Sequence, residues 1–119
     1  MKSENVLKTK SYAFALRIVK LYKHLTGEKK EFVLSKQVLR SGTAIGALIY
    51  EAEFGQSKPD FISKMSIALK EANETSYWLN LLKDSEYLTE TQFESIHEPC
   101  VELIKLLVSS IKTAKGSRE

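Results

Sequence analysis

A heptad repeat in the second half of the chain limits the possible folds more than any other feature. Small or apolar residues alternate four and three positions apart for three full heptads. They are Phe61, Met65, Ala68, Ala72, Thr75, Leu79 and Leu82. This spacing keeps the row on one face of an α-helix. A 3.5-residue period also indicates a left-handed crossing with neighbouring helices, as in bundles and coiled coils.

Three other segments have helical spacing of apolar residues. Together with the heptad segment they predict four helices, over residues 6–25, 35–54, 58–83 and 89–115. Because the connections are short, consecutive helices must run in opposite directions. The sequence therefore predicts an all-α protein, a single antiparallel up-down-up-down four-helix bundle over residues 1–119.

Capping residues mark three of the predicted helix starts. Ser35 is the expected N-cap of the second helix, since its hydroxyl can accept a hydrogen bond from the first turn. Ser57 and Asp60 have capping-box spacing before the third helix, and Thr89 and Gln92 have it before the fourth.

Two helices contain residues that are unusual in a helix interior. Gly42 and Gly46 lie four positions apart in the second helix, and each costs roughly 1 kcal/mol relative to alanine. Their spacing predicts a face that another backbone approaches closely; the alternative is a weak helix stabilised by tertiary packing. Pro99 removes one backbone hydrogen bond from the fourth helix and predicts a kink near residues 95–99.

The composition excludes several classes of protein. The apolar runs in the 119 residues are too short to span a bilayer, and no apolar signal segment follows Met1. The one cysteine, Cys100, cannot form an internal disulfide or a structural zinc site. These features indicate a cytoplasmic protein without a membrane partner.

The sequence lacks the residue patterns of catalytic and metal sites. It has no phosphate-binding glycine loop, and neither His24 nor His97 has a zinc-protease spacing. Glu94 and His97 form one ExxH match, whereas a di-iron bundle needs two. Cys100 falls on the apolar row of the fourth helix and is expected to be a core residue. We therefore expect no enzymatic activity, no metal and no cofactor.

The first helix has a second apolar row besides the one that faces the core. This row consists of Tyr12, Leu16, Val19 and Tyr22. A helix of a monomeric bundle needs only one apolar stripe, so the second row predicts an interface between the subunits of a homo-oligomer. The alternative places the tyrosines at the bundle edge with solvated hydroxyls.

Basic residues are concentrated in the first helix. Residues 1–25 contain six basic residues against Glu4 alone, although the net charge of the chain is only +3. The residues predicted to contact nucleic acid are Lys8, Lys10, Arg17, Lys20 and Lys23. Because an oligomer multiplies this charge, we expect salt-sensitive binding to structured RNA or DNA without base specificity. The alternative is a protein-interaction or scaffold module with no nucleic-acid role.

Acidic residues recur on the fourth helix at Glu90, Glu94, Glu98 and Glu102. This face is expected to meet the basic first helix of a neighbouring subunit, or else to be solvated within one subunit.

A second group of charges is expected to be structural. Arg40 and Glu51 share one face of the second helix, while Glu71 and Glu74 project from one side of the third. We interpret these four residues as an ion-pair network within or between subunits.

Several strings resemble one bacterial family of four-helix-bundle proteins, related to the ribosomal-RNA intervening-sequence proteins. They are RSGTAIGA over residues 40–47, IxEA over 49–52, SKxDFI over 57–62, IALKEANET over 67–75 and YWL over 77–79. The similar region extends over about residues 14–112.

The resemblance implies an up-down-up-down bundle that assembles as a ring-shaped homopentamer. It also implies kinship with the accessory variability protein of retroelements, which forms a similar pentamer and binds nucleic acid. For most members of the family no activity is established. This chain departs from the usual pattern at Leu48, where the family has Asn, and at Ala44, where it has Ser. Any role that depends on those polar groups is therefore altered here.

Overall fold

The computed structural model of the protein describes the backbone of residues 2–116 and the side chains of residues 6–116. It contains four helices: α1 (Lys2–Gly27), α2 (Leu34–Glu53), α3 (Lys58–Asp84) and α4 (Glu90–Ala114). Each helix packs against its neighbours in the chain, and α1 also packs against α4. The predicted all-α four-helix bundle is confirmed. None of the described helices is long and apolar enough to cross a membrane.

The core consists of the rows that the helical spacing predicts. In α3, the heptad residues from Met65 to Leu82 are buried, and Phe61 at the start of the row is half-buried. In α1, Phe14, Ile18 and Leu25 are at most 1% exposed. Other apolar side chains, among them Leu39, Leu69 and Ile104, are partly buried and pack against these rows.

Contacts between α1 and α4 show how the first and last helices run. Arg17 of α1 reaches Ser95 of α4, and Lys10, seven residues earlier, reaches Glu102, seven residues later. Contacts nearer the start of α1 therefore lie nearer the end of α4, which requires the two helices to be antiparallel. The bundle is therefore closed by an antiparallel α1–α4 pair.

The start of α2 differs from the prediction. Ser35 is not the N-cap; it lies in the first turn, and Val33 is at the cap position without a side-chain cap. The capping oxygen atoms come instead from the Glu31 carboxylate, which accepts hydrogen bonds from the N–H groups of Val33, Leu34 and Ser35 at 3.1, 2.9 and 2.7 Å. Since a carboxylate at a helix N-terminus also interacts well with the helix dipole, Glu31 stabilises this end in two ways.

Glu31 is nearly buried, with 8% of its surface exposed. Burial by itself raises the pKa of the carboxyl group, but the backbone hydrogen bonds from Leu34, Ser35 and Val33 outweigh it and lower the pKa. The Ser35 hydroxyl donates back to the Glu31 carbonyl oxygen at 2.9 Å. Both the carboxylate and the backbone carbonyl of Glu31 therefore bind the loop between α1 and α2 to the first turn of α2.

The two other predicted caps are present with one change. The Thr89 hydroxyl and the Gln92 side chain form a full capping box at α4. The Ser57 hydroxyl accepts from the Asp60 N–H at α3, but the Asp60 carboxylate accepts from the Gln56 N–H, one residue before the cap.

The close approach predicted at the two α2 glycines is confirmed. A Cβ atom at Gly42 would lie 2.8 Å from Cγ1 of Ile18, and one at Gly46 would lie 3.3 Å from the backbone oxygen of Ser11. Both neighbours belong to α1. The small residues of α2 therefore let the α1 and α2 backbones come together, and they form the floor of an outer groove described below.

Candidate interaction surfaces

Two of the five α1 cations that are predicted to contact nucleic acid form ion pairs with other described residues of the chain. Lys8 lies 2.9 Å from Glu53, and Lys10 lies 3.2 Å from Glu102. The hydrogen bond to Glu53 raises the pKa of the Lys8 ammonium group. The pair with Glu102 joins the basic face of α1 to the acidic row of α4 within one subunit. From the sequence, this acidic row was expected to meet α1 of a neighbouring subunit or to be solvated.

The other three predicted nucleic-acid contacts are exposed and have no carboxylate partner among the side chains of residues 6–116. Arg17 donates to the Ser95 carbonyl oxygen and hydroxyl, both at 2.7 Å. These acceptors are neutral, so the guanidinium charge is not balanced by them. Lys20 and Lys23 lie one and two helical turns further along α1 and are solvent-exposed. Uncompensated positive charge is therefore concentrated in the second half of α1.

An apolar surface covers the outer sides of α1 and α2. We call it the α1–α2 face, and its large exposed members are Tyr12, Leu16, Tyr50 and Phe54, at 67%, 52%, 54% and 66% exposure. The rings of Tyr50 and Phe54 are in edge contact with centroids 5.3 Å apart. Of the predicted interface row, Tyr12 and Leu16 belong to this face, whereas Val19 and Tyr22 are half-buried beside it.

A groove of about 890 Å³ runs along the α1–α2 face. Its floor includes Ala15, Gly46 and Ala47, and the rings of Tyr12 and Tyr50 form its sides. Small residues on the floor and aromatic residues on the sides produce a depression that suits an inserted side chain or helix.

The α2 half of this face was missed in the sequence. Thr43, Ala47, Tyr50 and Phe54 are spaced four, three and four apart, which is a second row like that of α1. This spacing could have predicted the outer row. It was overlooked because the small residues of α2 indicated close packing with another helix.

Three of the four residues of the predicted ion-pair network are in contact. Arg40 lies 3.2 Å from Glu71 and also contacts Glu74, whose carboxylate accepts a 2.9 Å hydrogen bond from the Trp78 indole. Glu51 does not join them; it lies 3.1 Å from Lys64. The network links α2 to α3 on the surface and contains no arrangement of a nucleophile and a base.

A smaller cavity, of about 410 Å³, lies between the second half of α1 and the start of α4. Arg17, Lys20 and His24 line it from α1. The Nε2 atom of His24 is buried and has no hydrogen-bond partner in the described part of the chain. No carboxylate of residues 6–116 lines this cavity. Its charge is therefore distinctly positive.

The remaining reactive side chains are held in structural contacts. Cys100 is fully buried, and burial raises the pKa of its thiol to about 12, so the reactive thiolate is not formed near neutral pH. His97 lies 2.8 Å from the Ser76 hydroxyl and stacks on Phe93, and burial, with the charge of Lys83, lowers its pKa. Within residues 6–116, no three His, Cys, Asp or Glu side chains are grouped as metal ligands.

Comparison with known proteins identifies the family. The family model described as 23S rRNA-intervening sequence protein matches residues 3–109. The chain belongs to this family. A crystal structure of a member of the S23 ribosomal protein family is similar to this chain. That protein, of unknown function and from Bacteroides thetaiotaomicron, shares 62% sequence identity with a TM-score of 0.91. The alignment covers 92% of this chain and 98% of that one. No curated protein matches the sequence.

The two departures from the usual family pattern lie on α2. Leu48 is half-buried and packs against the hydrophobic core, and Ala44 is also half-buried. Arg40 reaches Glu71 and Glu74 without any polar group at these two positions. In this member of the intervening-sequence protein family, the α2–α3 ion pairs therefore form independently of the residues that differ.

Proposed function

We propose that the protein is a non-catalytic subunit that assembles with copies of itself into a ring, using the α1–α2 face as its interface. The observation that carries this proposal is the α1–α2 face, whose groove is lined by Tyr12 and Tyr50 and whose other large exposed members are Leu16 and Phe54. All four side chains are more than half exposed, and the rings of Tyr50 and Phe54 are in contact. An apolar surface of this kind marks a contact site on a water-soluble domain.

The composition of the face favours a specific contact. Burial of an aromatic or leucine side chain contributes about 1.5–3 kcal/mol, and tyrosine is enriched among residues that dominate binding energy. The rim carries charges of both signs, because Lys8 pairs with Glu53 and Glu51 pairs with Lys64. The face therefore has an apolar centre and a polar rim, as protein interfaces do. The family resemblance favours a pentamer, and a head-to-tail contact closes into a ring of that kind when its rotation fits.

Size-exclusion chromatography with light scattering tests the interface. Leu16→Glu and Tyr50→Glu place a charge in the centre of the α1–α2 face and are expected to reduce the particle to the 13.5 kDa subunit. Ile67→Glu is the matched control, since Ile67 is 41% exposed on α3, outside this face. Dissociation by the control to the same extent would argue against the proposed interface.

Nucleic-acid binding is a second candidate function, and the exposed lysines favour it. Lys20 and Lys23 in α1, Lys29 and Lys30 in the next loop, and Lys36 in α2 are exposed, with no carboxylate within 4.0 Å among the described side chains. Assembly would repeat this cluster in every subunit and strengthen its field. We expect binding to structured RNA or DNA that weakens steeply as salt rises.

A filter-binding titration at several salt concentrations tests this second function. The double substitution Lys20→Glu with Lys23→Glu is expected to abolish binding. Lys70→Glu with Lys105→Glu changes the total charge equally on α3 and α4 and is expected to weaken it only slightly. Unchanged binding by the first variant at low salt would exclude the α1 cluster, and a protein that binds no nucleic acid at all would favour the scaffold alternative.

A further inference from the structure

We infer that the cavity between α1 and α4 is a binding site for a phosphate monoester carried on a small apolar group. The inference goes beyond the proposed assembly and does not depend on it. Nine residues line the cavity, and they are Arg17, Lys20, Leu21, His24, Leu88, Thr91, Gln92, Ser95 and Ile96. At about 410 Å³ its volume is in the range of small-molecule sites.

Arg17 is the feature of this cavity that most favours an anion. Its guanidinium has five N–H donors, and two of them are used by the oxygen atoms of Ser95. These bonds hold the group in place, so little side-chain entropy remains to be lost when a ligand binds. Since both acceptors are neutral, the full positive charge is still available. A positioned guanidinium with free donors matches the oxygen geometry of a phosphate.

A second basic side chain adds to this charge. Lys20 lines the same cavity, one turn after Arg17, and has no carboxylate partner among the described residues. Together the two cations match the charge of a phosphate monoester, about −1.5 to −2 near neutral pH. A carboxylate would balance only one of them. The charge therefore favours a phosphate over a carboxylic acid.

His24 supplies the third group. Its buried Nε2 atom has no hydrogen-bond partner among the described residues, which costs free energy that a hydrogen bond would recover. A half-turn of the imidazole about the Cβ–Cγ bond exchanges its nitrogen and carbon edges within nearly the same outline. The ring can therefore offer a nitrogen to a ligand in the cavity without a change in packing.

The rest of the lining describes the group attached to the phosphate. Leu21, Leu88 and Ile96 also line the cavity and make part of its wall apolar. Inorganic phosphate would leave this wall uncovered, whereas an ester with a small apolar or planar body would cover it. Such an ester can be a free small molecule or the terminal phosphate of a nucleic-acid strand.

Isothermal titration calorimetry with phenyl phosphate tests the site on the full chain. We expect saturable binding that is tighter than the binding of inorganic phosphate. Lys20→Gln should weaken it roughly tenfold, the effect of losing one charge-assisted contact. Lys23→Gln is the matched control, because Lys23 has the same charge and helix but does not line the cavity. His24→Gln is a second test that leaves the Arg17–Ser95 contact intact.

The outcomes separate the site from a general effect of charge. Absence of saturable heat up to about 10 mM phenyl phosphate, or an equal loss in Lys20→Gln and Lys23→Gln, would overturn the inference. A short oligonucleotide with a 5′-phosphate, compared with its 5′-hydroxyl form, identifies the source of the ligand. Tighter binding of the phosphorylated strand, displaced by phenyl phosphate, assigns the site to strand ends, and equal binding of the two strands assigns it to a free small molecule. Because none of these readings measures assembly, a failure here is distinct from a failure of the proposed ring.

Discussion

The guanidinium of Arg17 donates one hydrogen bond to the Ser95 carbonyl oxygen and another to the Ser95 hydroxyl, each 2.7 Å long. The carbonyl oxygen is available because of Pro99. In an α-helix it would accept from the N–H four residues later, and proline has none. α4 continues through Pro99, and a side chain of α1 takes the place of the missing donor. Arg17 therefore has a structural role that its charge alone did not suggest.

Arg17 and Pro99 are predicted to be energetically coupled. Arg17→Met should lower the free energy of unfolding by about 0.5–1.5 kcal/mol, because it removes a charge-assisted hydrogen bond that water only partly replaces at this exposed carbonyl. In a Pro99→Ala background the loss should be smaller, since the alanine N–H can donate to that carbonyl. A double-mutant cycle in urea measures the coupling. Lys23→Met, on the same helix and without a carboxylate partner among the described side chains, should change stability by less than about 0.5 kcal/mol. Equal losses from Arg17→Met in both backgrounds would refute the coupling.

Glu31 is predicted to make the protein less stable in acid. Its folded pKa lies below the ordinary value of 4.5, so its contribution is complete above about that pH and is lost as the pH falls through the folded pKa. Glu31→Gln should lower the free energy of unfolding at pH 7 by about 1–2 kcal/mol and flatten its dependence on pH below 4.5. Thermal unfolding between pH 3 and 7 measures both effects. Glu28→Gln, an exposed acid in the same loop, is the control and should retain the dependence of the wild type.

Glu86 is predicted to be a site where glycine stabilises the fold. It follows α3 with φ of 70°, a left-handed conformation that costs an L-residue with a side chain about 1 kcal/mol. Glu86→Gly should raise the free energy of unfolding by about 0.5–1 kcal/mol. Glu86→Ala keeps a Cβ atom and should give no such gain. A gain of the same size in both variants would show that the lost charge, and not the backbone, is responsible.

Gly42 is predicted to tolerate no side chain. Alanine normally favours a helix by about 1 kcal/mol, but at this position its Cβ would lie 2.8–2.9 Å from three atoms of Ile18. Gly42→Ala should therefore destabilise the bundle by about 1–3 kcal/mol. At Gly27 a Cβ would meet nothing within 4 Å, so Gly27→Ala serves as the control and should be neutral or stabilising. The denaturation midpoints of the Gly42→Ala and Gly27→Ala variants measure this difference. A Gly42→Ala variant as stable as the wild type would contradict the close approach of α1 and α2.

The core could be predicted from the sequence because helical periodicity alone decides which side chains share a face. The row from Met65 to Leu82 is buried as its spacing requires, and so are Phe14 and Ile18 in α1. The same argument identified the close approach at Gly42. In each case the prediction depends on the helix itself and needs no knowledge of loop conformation.

The interaction surfaces depend on how helices and loops meet, and much of that lay beyond the sequence. Glu31 caps α2 from a loop whose path could not be read in advance, so Ser35 was the expected cap. Arg17 looked like a free cation, although the carbonyl that Pro99 leaves open on α4 was a usable signal. Glu51 shares a helix face with Arg40, but the crossing of α2 and α3 brings Lys64 to it instead.

The molar mass of the protein in solution tests the central claim, self-assembly through the α1–α2 face, most directly. Sedimentation velocity over a wide dilution series reports the mass without any variant. We predict a particle whose mass is a multiple of the 13.5 kDa subunit, five-fold for the pentamer that the resemblance implies, and which dissociates on dilution. A sedimenting species of 13.5 kDa at every concentration would contradict the account.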